Sequence, residues 1–252
     1  MSKVYFISGG NRGIGFGFVQ ELSQRKDVTV IASVRNAAKA TELNAWIKEH
    51  PNIHTVNYDG NVDGSALEAA KEVESITGGK GIDVFIANAA ISDAHYSVLD
   101  LPEKNWLEHY KINTLAPLLL FKAFYPLLKK KDTRQVIFIS SDAGSIAATP
   151  KMSFSAYGQS KAALNYSTKE LSFELEEEKF TIIALNPGPV LSDMGTFSRE
   201  EMKKISVAFS HKHWDTAPSV KESVDELLLV IDKLTPADNG KFFHHDGTIY
   251  PW

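Results

Sequence analysis

The sequence predicts an α/β fold, a doubly wound parallel sheet with helices on both faces, formed by a single domain over residues 1–252. Three observations predict it. Short β-branched runs alternate with longer amphipathic stretches along the whole chain. A glycine-rich turn joins the first run to the first amphipathic stretch. No internal repeat or low-complexity linker marks a domain boundary.

The elements follow in order. Residues 4–7 (Val-Tyr-Phe-Ile) read as the first strand and 13–25 as the first helix; 28–34, 38–49, 54–58 and 65–77 repeat the strand and helix alternation twice. A strand at 84–87 precedes a long helical stretch at 103–130, and a strand at 136–140 precedes a second long helix at 156–178. Strands at 181–185 and 242–244 close the pattern, with a helix at 219–233 between them. Parallel strands need crossovers, and crossovers of this length are helices. The segment 192–218 breaks the rhythm. A connection of that length at a strand's carboxyl end is expected to be a substrate lid, holding one short helix around 200–204.

Composition limits the function. The 252 residues carry 27 basic and 31 acidic side chains, a net charge of −4, which gives no electrostatic case for nucleic acid or an anionic membrane and favours a small-molecule partner. The chain has no cysteine, so disulfides, thiolate zinc sites and cysteine nucleophiles are excluded. The apolar run before the first glycines is too short for a signal-peptide core. The longest apolar stretch, 115–121, contains a proline and falls below the about 18 residues needed to cross a bilayer. A cytoplasmic location is expected.

Ser8-Gly9-Gly10-Asn11-Arg12-Gly13-Ile14-Gly15 lies directly after the first strand and opens the first helix. Glycines there let backbone approach a pyrophosphate, and the helix amino end offers free N–H donors. The spacing is G-x-x-x-G-x-G, not the commoner G-x-G-x-x-G; the same glycines could serve only helix–strand packing. The second strand ends Ser33-Val34-Arg35-Asn36. A site for the unphosphorylated cofactor would place a carboxylate there for the free ribose hydroxyl. A guanidinium instead suits a 2′-phosphate, with Arg12 on the adjacent loop, so NADP(H) is expected.

Tyr157 and Lys161 are four residues apart on one helical face. A phenol is a poor proton donor near neutral pH unless a nearby cation favours its ionised form, and Lys161 is expected to supply that cation. Tyr157 would then serve as general acid toward a carbonyl oxygen, and as base in reverse. Upstream, Ser140-Ser141-Asp142 ends a strand at the ligand-binding edge, where a hydroxyl can hold the substrate oxygen. Pro117 follows Asn113 by four positions; lacking an N–H, it leaves the Asn113 carbonyl free to hold a water that could pass protons to Lys161.

Taken together, the sequence resembles the short-chain dehydrogenase/reductase family over nearly its whole length. The residues carrying the likeness are Gly9, Gly13 and Gly15, Asn88-Ala89-Ala90, Asn113, Ser141, Tyr157 with Lys161, and Asn186-Pro187-Gly188. The resemblance implies a Rossmann-type fold and a catalytic tetrad of Asn113, Ser141, Tyr157 and Lys161. It also implies cofactor contacts from Gly9, Asn11, Arg12, Gly13, Ile14, Gly15, Arg35, Asn88, Tyr157, Lys161, Pro187, Gly188, Val190 and Ser192. The adenine contact falls to Asp59, with Asn61 as the alternative. Ser8, Ala90 and Ser192 depart from the family's commonest residues, Ser192 keeping a hydroxyl where threonine is frequent. The closing Asp246-Gly247-Thr248-Ile249-Tyr250-Pro251-Trp252 and the stretch after Pro187 resemble sniffer-type carbonyl reductases and fungal ketoreductases of the norsolorinic-acid type. The likeness further implies a homodimer or homotetramer built through the two long helices.

The expected function is therefore NADPH-dependent reduction of a ketone or aldehyde. An NAD-dependent alcohol dehydrogenase working oxidatively and a non-catalytic nucleotide-sensing regulator are the competing readings. Met194, Phe197, Met202, Phe209 and Trp214, with Ile91, Ile146 and Phe154, suggest an apolar or aromatic substrate. Three features are read as bland. The histidines 211, 213, 244 and 245 are taken as solvated, with no metal site; Lys129-Lys130-Lys131 as a solvated helix end; and the sequon at Asn165 as part of a helix interior.

Overall fold

The computed structural model describes residues 2–93, 95–149, 154–205, 210 and 214–252. Strand β1 (Lys3–Ser8) shows how the sequence is read by the fold. Side chains alternate across a strand, so Val4 and Phe6 enter one core while Tyr5 and Ile7 enter the other. Its neighbours β2 (Val28–Val34), β3 (Ile53–Asn57), β4 (Val84–Ala87), β5 (Gln135–Ile139), β6 (Thr181–Asn186) and β7 (Phe242–His244) complete one sheet in the order β3-β2-β1-β4-β5-β6-β7. Every pairing is parallel. The strand order reverses between β1 and β4, which opens a crevice at their carboxyl ends.

Helices cover both faces. On one side α1 (Gly13–Ser23), α2 (Thr41–Ile47) and the helix Val220–Lys233 bury Phe18, Leu22, Leu43, Val224, Leu227 and Ile231 against Ile7, Val30, Ile86 and Ile183. On the other, α3 (Ser65–Ile76), α5 (Ala116–Leu128) and α6 (Ser155–Glu174) surround a core rich in phenylalanine, including Phe6, Phe85, Phe121, Phe124 and Phe138, and α4 (Glu103–Tyr110) packs on α6. Full burial of each such side chain contributes about 1.5–3 kcal/mol. Residues Asp193–Ile205 form α7, which makes Val220–Lys233 helix α8. A Cβ on Gly17 would lie 2.8 Å from Val220 and Val224, so this glycine is what lets α1 and α8 meet closely.

The strands lie within a residue of their expected positions, and the differences fall in the helices. The stretch expected as one helix at 103–130 is α4, a π-helical turn over Lys111–Leu115, and α5. Pro117 therefore sits in the first turn of α5, where its missing N–H costs little, and the irregularity falls just before it at Asn113. The helix expected at 38–49 divides into a 3-10 turn (Ala37–Lys39) and α2. The described part of segment 192–218 is less irregular than expected. Thirteen of its residues form α7, with Asp193 in the first turn, Lys203 and Lys204 in the last, and Glu200–Lys203 and Glu201–Lys204 ion pairs along its side. Lys129, Lys130 and Lys131 are not simply solvated. They pair with Glu178, Glu74 and Asp83, tying the end of α5 to its surroundings. Among the described residues no helix is long and apolar enough to cross a membrane.

Candidate active site

The crevice between β1 and β4 continues into a cleft floored by the glycine loop. Gly9 and Gly13 adopt φ of 70° and 53°, a backbone that side-chain-bearing residues rarely take. A Cβ on Gly15 would lie 2.1 Å from the Gly9 carbonyl oxygen and 2.6 Å from Asn88 Nδ2, so only glycine fits. Asn88 closes the loop from β4, donating through Nδ2 to the Ser8 carbonyl at 3.0 Å, while the Ser8 hydroxyl accepts from the backbone of Asn88 and Ala89. Arg12 is the N-cap of α1 and contributes no capping hydrogen bond, and the first turn holds no acidic residue. The helix amino end thus presents uncapped N–H groups and its positive dipole to the cleft, which fits the pyrophosphate of a dinucleotide.

Gly9, Asn11, Arg12, Gly13, Ile14, Arg35, Asp59, Asn61, Asn88, Tyr157, Lys161, Pro187 and Ser192 all line this cleft, as do Ala90, Ile91 and Met194. Gly15, Asn113, Ser141, Gly188 and Val190 do not line it. Arg35 is exposed at the end of β2 and makes no ion pair among the described residues, whereas Arg12 reaches Asp193 of α7 at 3.5 Å. The half-buried Asp59 accepts from the backbone N–H of the exposed Asn61 at 2.9 Å, so one turn holds both adenine-contact candidates. The hydroxyl of Ser192 caps α7 by accepting from Gly195 N at 3.2 Å.

Tyr157 and Lys161 stand one turn apart on α6, the Lys161 ammonium 5.8 Å from the centroid of the phenol ring. Lys161 is 3% exposed and donates to the Ile139 carbonyl at the end of β5 at 2.8 Å. The Asn113 amide clamps Ile91 in the loop after β4: Oδ1 accepts from Ile91 N and Nδ2 donates to Ile91 O, each at 2.8 Å. Nδ2 also reaches Ser160 Oγ at 3.0 Å, joining the π-helical turn to α6. Ser141 is the N-cap of the 3-10 turn Asp142–Gly144, its oxygen accepting from Ala143 N.

Electrostatics correct one expectation. The Tyr157 phenol is pushed up to about 12, first by burial and further by the Asp142 carboxylate, with hydrogen bonding to Ser141 acting in the opposite direction. Burial pushes Lys161 down to about 7. Lys161 therefore does not hold the phenol low in this geometry. Its cation is itself destabilised by the apolar surroundings, and the phenol is an intact acid.

Several positioning residues carried no sequence signal. Asn165, read as part of a sequon, is buried and takes the Ser140 hydroxyl at 2.5 Å while donating to the Gly144 carbonyl at 3.2 Å, so it holds the serine turn against α6. Ser160 binds Asn113 through its hydroxyl and Thr114 through its carbonyl. A Tyr-x-x-x-Lys helix packed on a neighbour must bury its other face, which is the one clue available. The histidines at 244 and 245 are not solvated; they are half-buried beside Asp246 and Glu226. Of the apolar residues expected near the reacting edge, Ile91 and Met194 reach the cleft. Ile146 and Phe154 instead line a second hollow of about 300 Å³ on the other side of α6. Met202 and Trp214 are buried, the indole N–H directed at the Met202 sulfur at 3.1 Å. Phe209 and residues 211 and 213 lie outside the described residues.

Comparison with known proteins bears on this arrangement. Residues 3–203 match the short chain dehydrogenase family. An uncharacterized oxidoreductase of Schizosaccharomyces pombe is 47% identical over 251 residues, covering 100% of this chain and 98% of the relative. The carbonyl reductase Sniffer of D. melanogaster superposes with a TM-score of 0.88 at 29% identity, over 100% of both chains. The NADPH-bound carbonyl reductase from chicken fatty liver has the same TM-score of 0.88 at 32% identity, over 100% of this chain and 94% of the other.

Proposed function

Because the chain belongs to the short-chain dehydrogenase/reductase family, an oxidoreductase family that uses a nicotinamide cofactor on small molecules, we propose that it reduces a ketone or aldehyde at the expense of NADPH. The observation that carries this reading is that one cleft is lined both by the Tyr157–Lys161 pair and by Arg35. The cofactor, when bound, supplies the hydride. The uncapped amino end of α1 and the glycines of the loop hold its pyrophosphate. Arg35, joined by Arg12 on release from Asp193, holds the 2′-phosphate. Asn88 keeps the loop in shape, and the turn at Asp59 and Asn61 takes the adenine. Pro187, Gly188, Val190 and Ser192 form the border of the nicotinamide end.

Tyr157 gives its phenolic proton to the carbonyl oxygen as that oxygen gains negative charge. A phenol held at about 12 is fully protonated at neutral pH and is ready for that transfer. Ser141 holds the substrate oxygen beside it. Lys161, buried at the base of the pair, becomes the cation that stabilises the phenolate once the proton has left. Asn113 keeps the loop at Ile91 and the start of α6 in register, and its carbonyl, facing a proline at 117, is suited to a water that returns the proton. Segment 192–218, with α7 as its framework, is the lid, and Ile91 and Met194 favour an apolar substrate. The exposed Leu107, Leu115, Leu119 and Tyr166 on the two long helical stretches favour a homodimer or homotetramer. The test is NADPH oxidation with a panel of ketones and aldehydes, repeated with NADH and in reverse with the product alcohols. Turnover favouring NADH and alcohol oxidation would replace this reading with the oxidative one, and cofactor binding without turnover would favour the nucleotide sensor.

A further inference from the structure

Three elements converge on the ring of His95, in the loop that follows β4. Phe154, the residue before α6, meets it edge to face, with ring centroids 5.4 Å apart and planes at 67°. Phe197 of α7 meets it likewise, at 5.6 Å and 82°. The His95 Nε2 lies 3.2 Å from the hydroxyl of Ser92, in its own loop, and 3.5 Å from that of Ser198 on α7. Ser92 and Ser198 are buried, and His95 itself is half-buried. An edge-to-face pair constrains angle as well as distance, so two of them on one ring give α7 a defined place against its neighbours.

Each of these partners stands close in the chain to a residue that lines the cleft. Ser92 follows Ile91, whose backbone is already clamped by the Asn113 amide. Phe154 precedes Tyr157 by three residues at the start of α6. Phe197 and Ser198 lie three and four residues beyond Met194, about one helical turn along α7. Resting on the reading of segment 192–218 as the lid, we infer that His95 is a positioning residue for the substrate. Its ring clasps α7 to the loop after β4 and to the start of α6, and so fixes the gap between Ile91, Met194 and Tyr157 in which a carbonyl compound is held.

Hydrogen exchange, read by mass spectrometry in the cofactor-free protein, tests the clasp apart from the chemistry. In His95→Ala the amides of α7 should exchange about tenfold faster or more, while those of α2, on the opposite face of the sheet, hold at the wild-type rate. His95→Phe keeps a ring between the two phenylalanines and should retain most of the protection. Phe197→Ala removes the same contact from the lid side, and combined with His95→Ala it should add little to either replacement alone. In carbonyl reduction, KM for the carbonyl should rise about tenfold in both alanine variants while kcat stays within about twofold. Wild-type exchange of α7 in His95→Ala, fully additive effects in the double variant, or a phenylalanine variant as loose as the alanine one each overturns the inference. Faster exchange spread through the whole chain also overturns it, as does a KM that stays fixed while α7 loosens. Loosening confined to α7 in a protein that reduces no carbonyl upholds the clasp and overturns the proposed reaction instead.

Discussion

The Lys161 ammonium lies 5.8 Å from the ring centroid of Tyr157 and spends a hydrogen bond on the Ile139 carbonyl, 2.8 Å away. The two side chains share a helical face, yet burial acts on them in opposite directions on the pKa scale, raising the phenol to about 12 and lowering the amine to about 7. Both shifts favour the neutral form. Burial at this position disfavours each ion alone, and a cation and a phenolate formed together compensate one another.

Lys161→Met should stabilise the ligand-free protein at neutral pH while abolishing turnover. The native amine is pushed from 10.5 to about 7, so the unfolded chain binds the extra proton between these values and wild-type stability from this group rises with pH across that window. Below pH 7 the full cost of the buried cation is present, and above 10.5 it is absent. The variant should therefore gain about 2–5 kcal/mol over wild type near pH 6 and lose that advantage by about pH 10. Denaturant unfolding of both proteins at several pH values measures this; a gap that does not change with pH would show that Lys161 carries no such penalty.

Tyr157→Phe should leave NADPH affinity nearly intact and reduce turnover by about a hundredfold or more, because it removes the proton donor and little else. Calorimetric titration with NADPH separates binding from chemistry. Turnover close to wild type would mean that another group protonates the carbonyl.

What the sequence made legible was local. The alternation of short β-branched runs with longer amphipathic stretches placed every strand of the sheet within a residue, and the four-residue spacing put Tyr157 and Lys161 on one face. What escaped was non-local. Asn165 matters because Gly144 and Ser140 pack against it from another element, and nothing in its own neighbourhood announces that. Of α7 only the stretch around 200–204 was legible; its first turn was concealed because Gly195 and Thr196 weaken it, while the contact at its buried side, Met202 with Trp214, spans twelve positions. The lysine expected to lower the phenol lies one turn from it on α6, but spacing alone says nothing of how deeply it is buried.

Gly15→Ala should cost both stability and cofactor binding. Its Cβ would overlap the Gly9 carbonyl oxygen and Asn88 Nδ2, so the loop must move away from the shape that admits a pyrophosphate. Overpacking of this kind costs about 1–3 kcal/mol. Gly78→Ala is the matched comparison: its φ of 56° is strained for alanine, yet nothing lies within 4 Å of the added carbon. It should lower the unfolding midpoint without altering NADPH affinity. If Gly15→Ala binds NADPH normally, the loop is not the pyrophosphate site.

The proposed preference for NADPH rests on Arg35, which follows β2 and is exposed and without an ion-pair partner among the described residues. A charge-assisted hydrogen bond to phosphate contributes about 1.5–3 kcal/mol, equivalent to roughly a 10- to 150-fold preference for NADPH over NADH. Arg35→Ala should remove most of that preference. Arg12 is held at 3.5 Å by Asp193, an exposed and easily exchanged contact, so it can turn to the phosphate and retain part of the preference in the single variant. The double replacement of Arg12 and Arg35 should therefore bring the ratio of kcat/KM for the two cofactors close to one. An aspartate introduced at Val34 should push the ratio toward NADH, since a carboxylate there accepts from the free ribose hydroxyl and repels a 2′-phosphate. The ratio is measured with one carbonyl substrate at fixed ionic strength, because salt screens exposed charges. A wild-type preference for NADH, or a ratio unmoved by the double replacement, would remove the case for an NADPH enzyme.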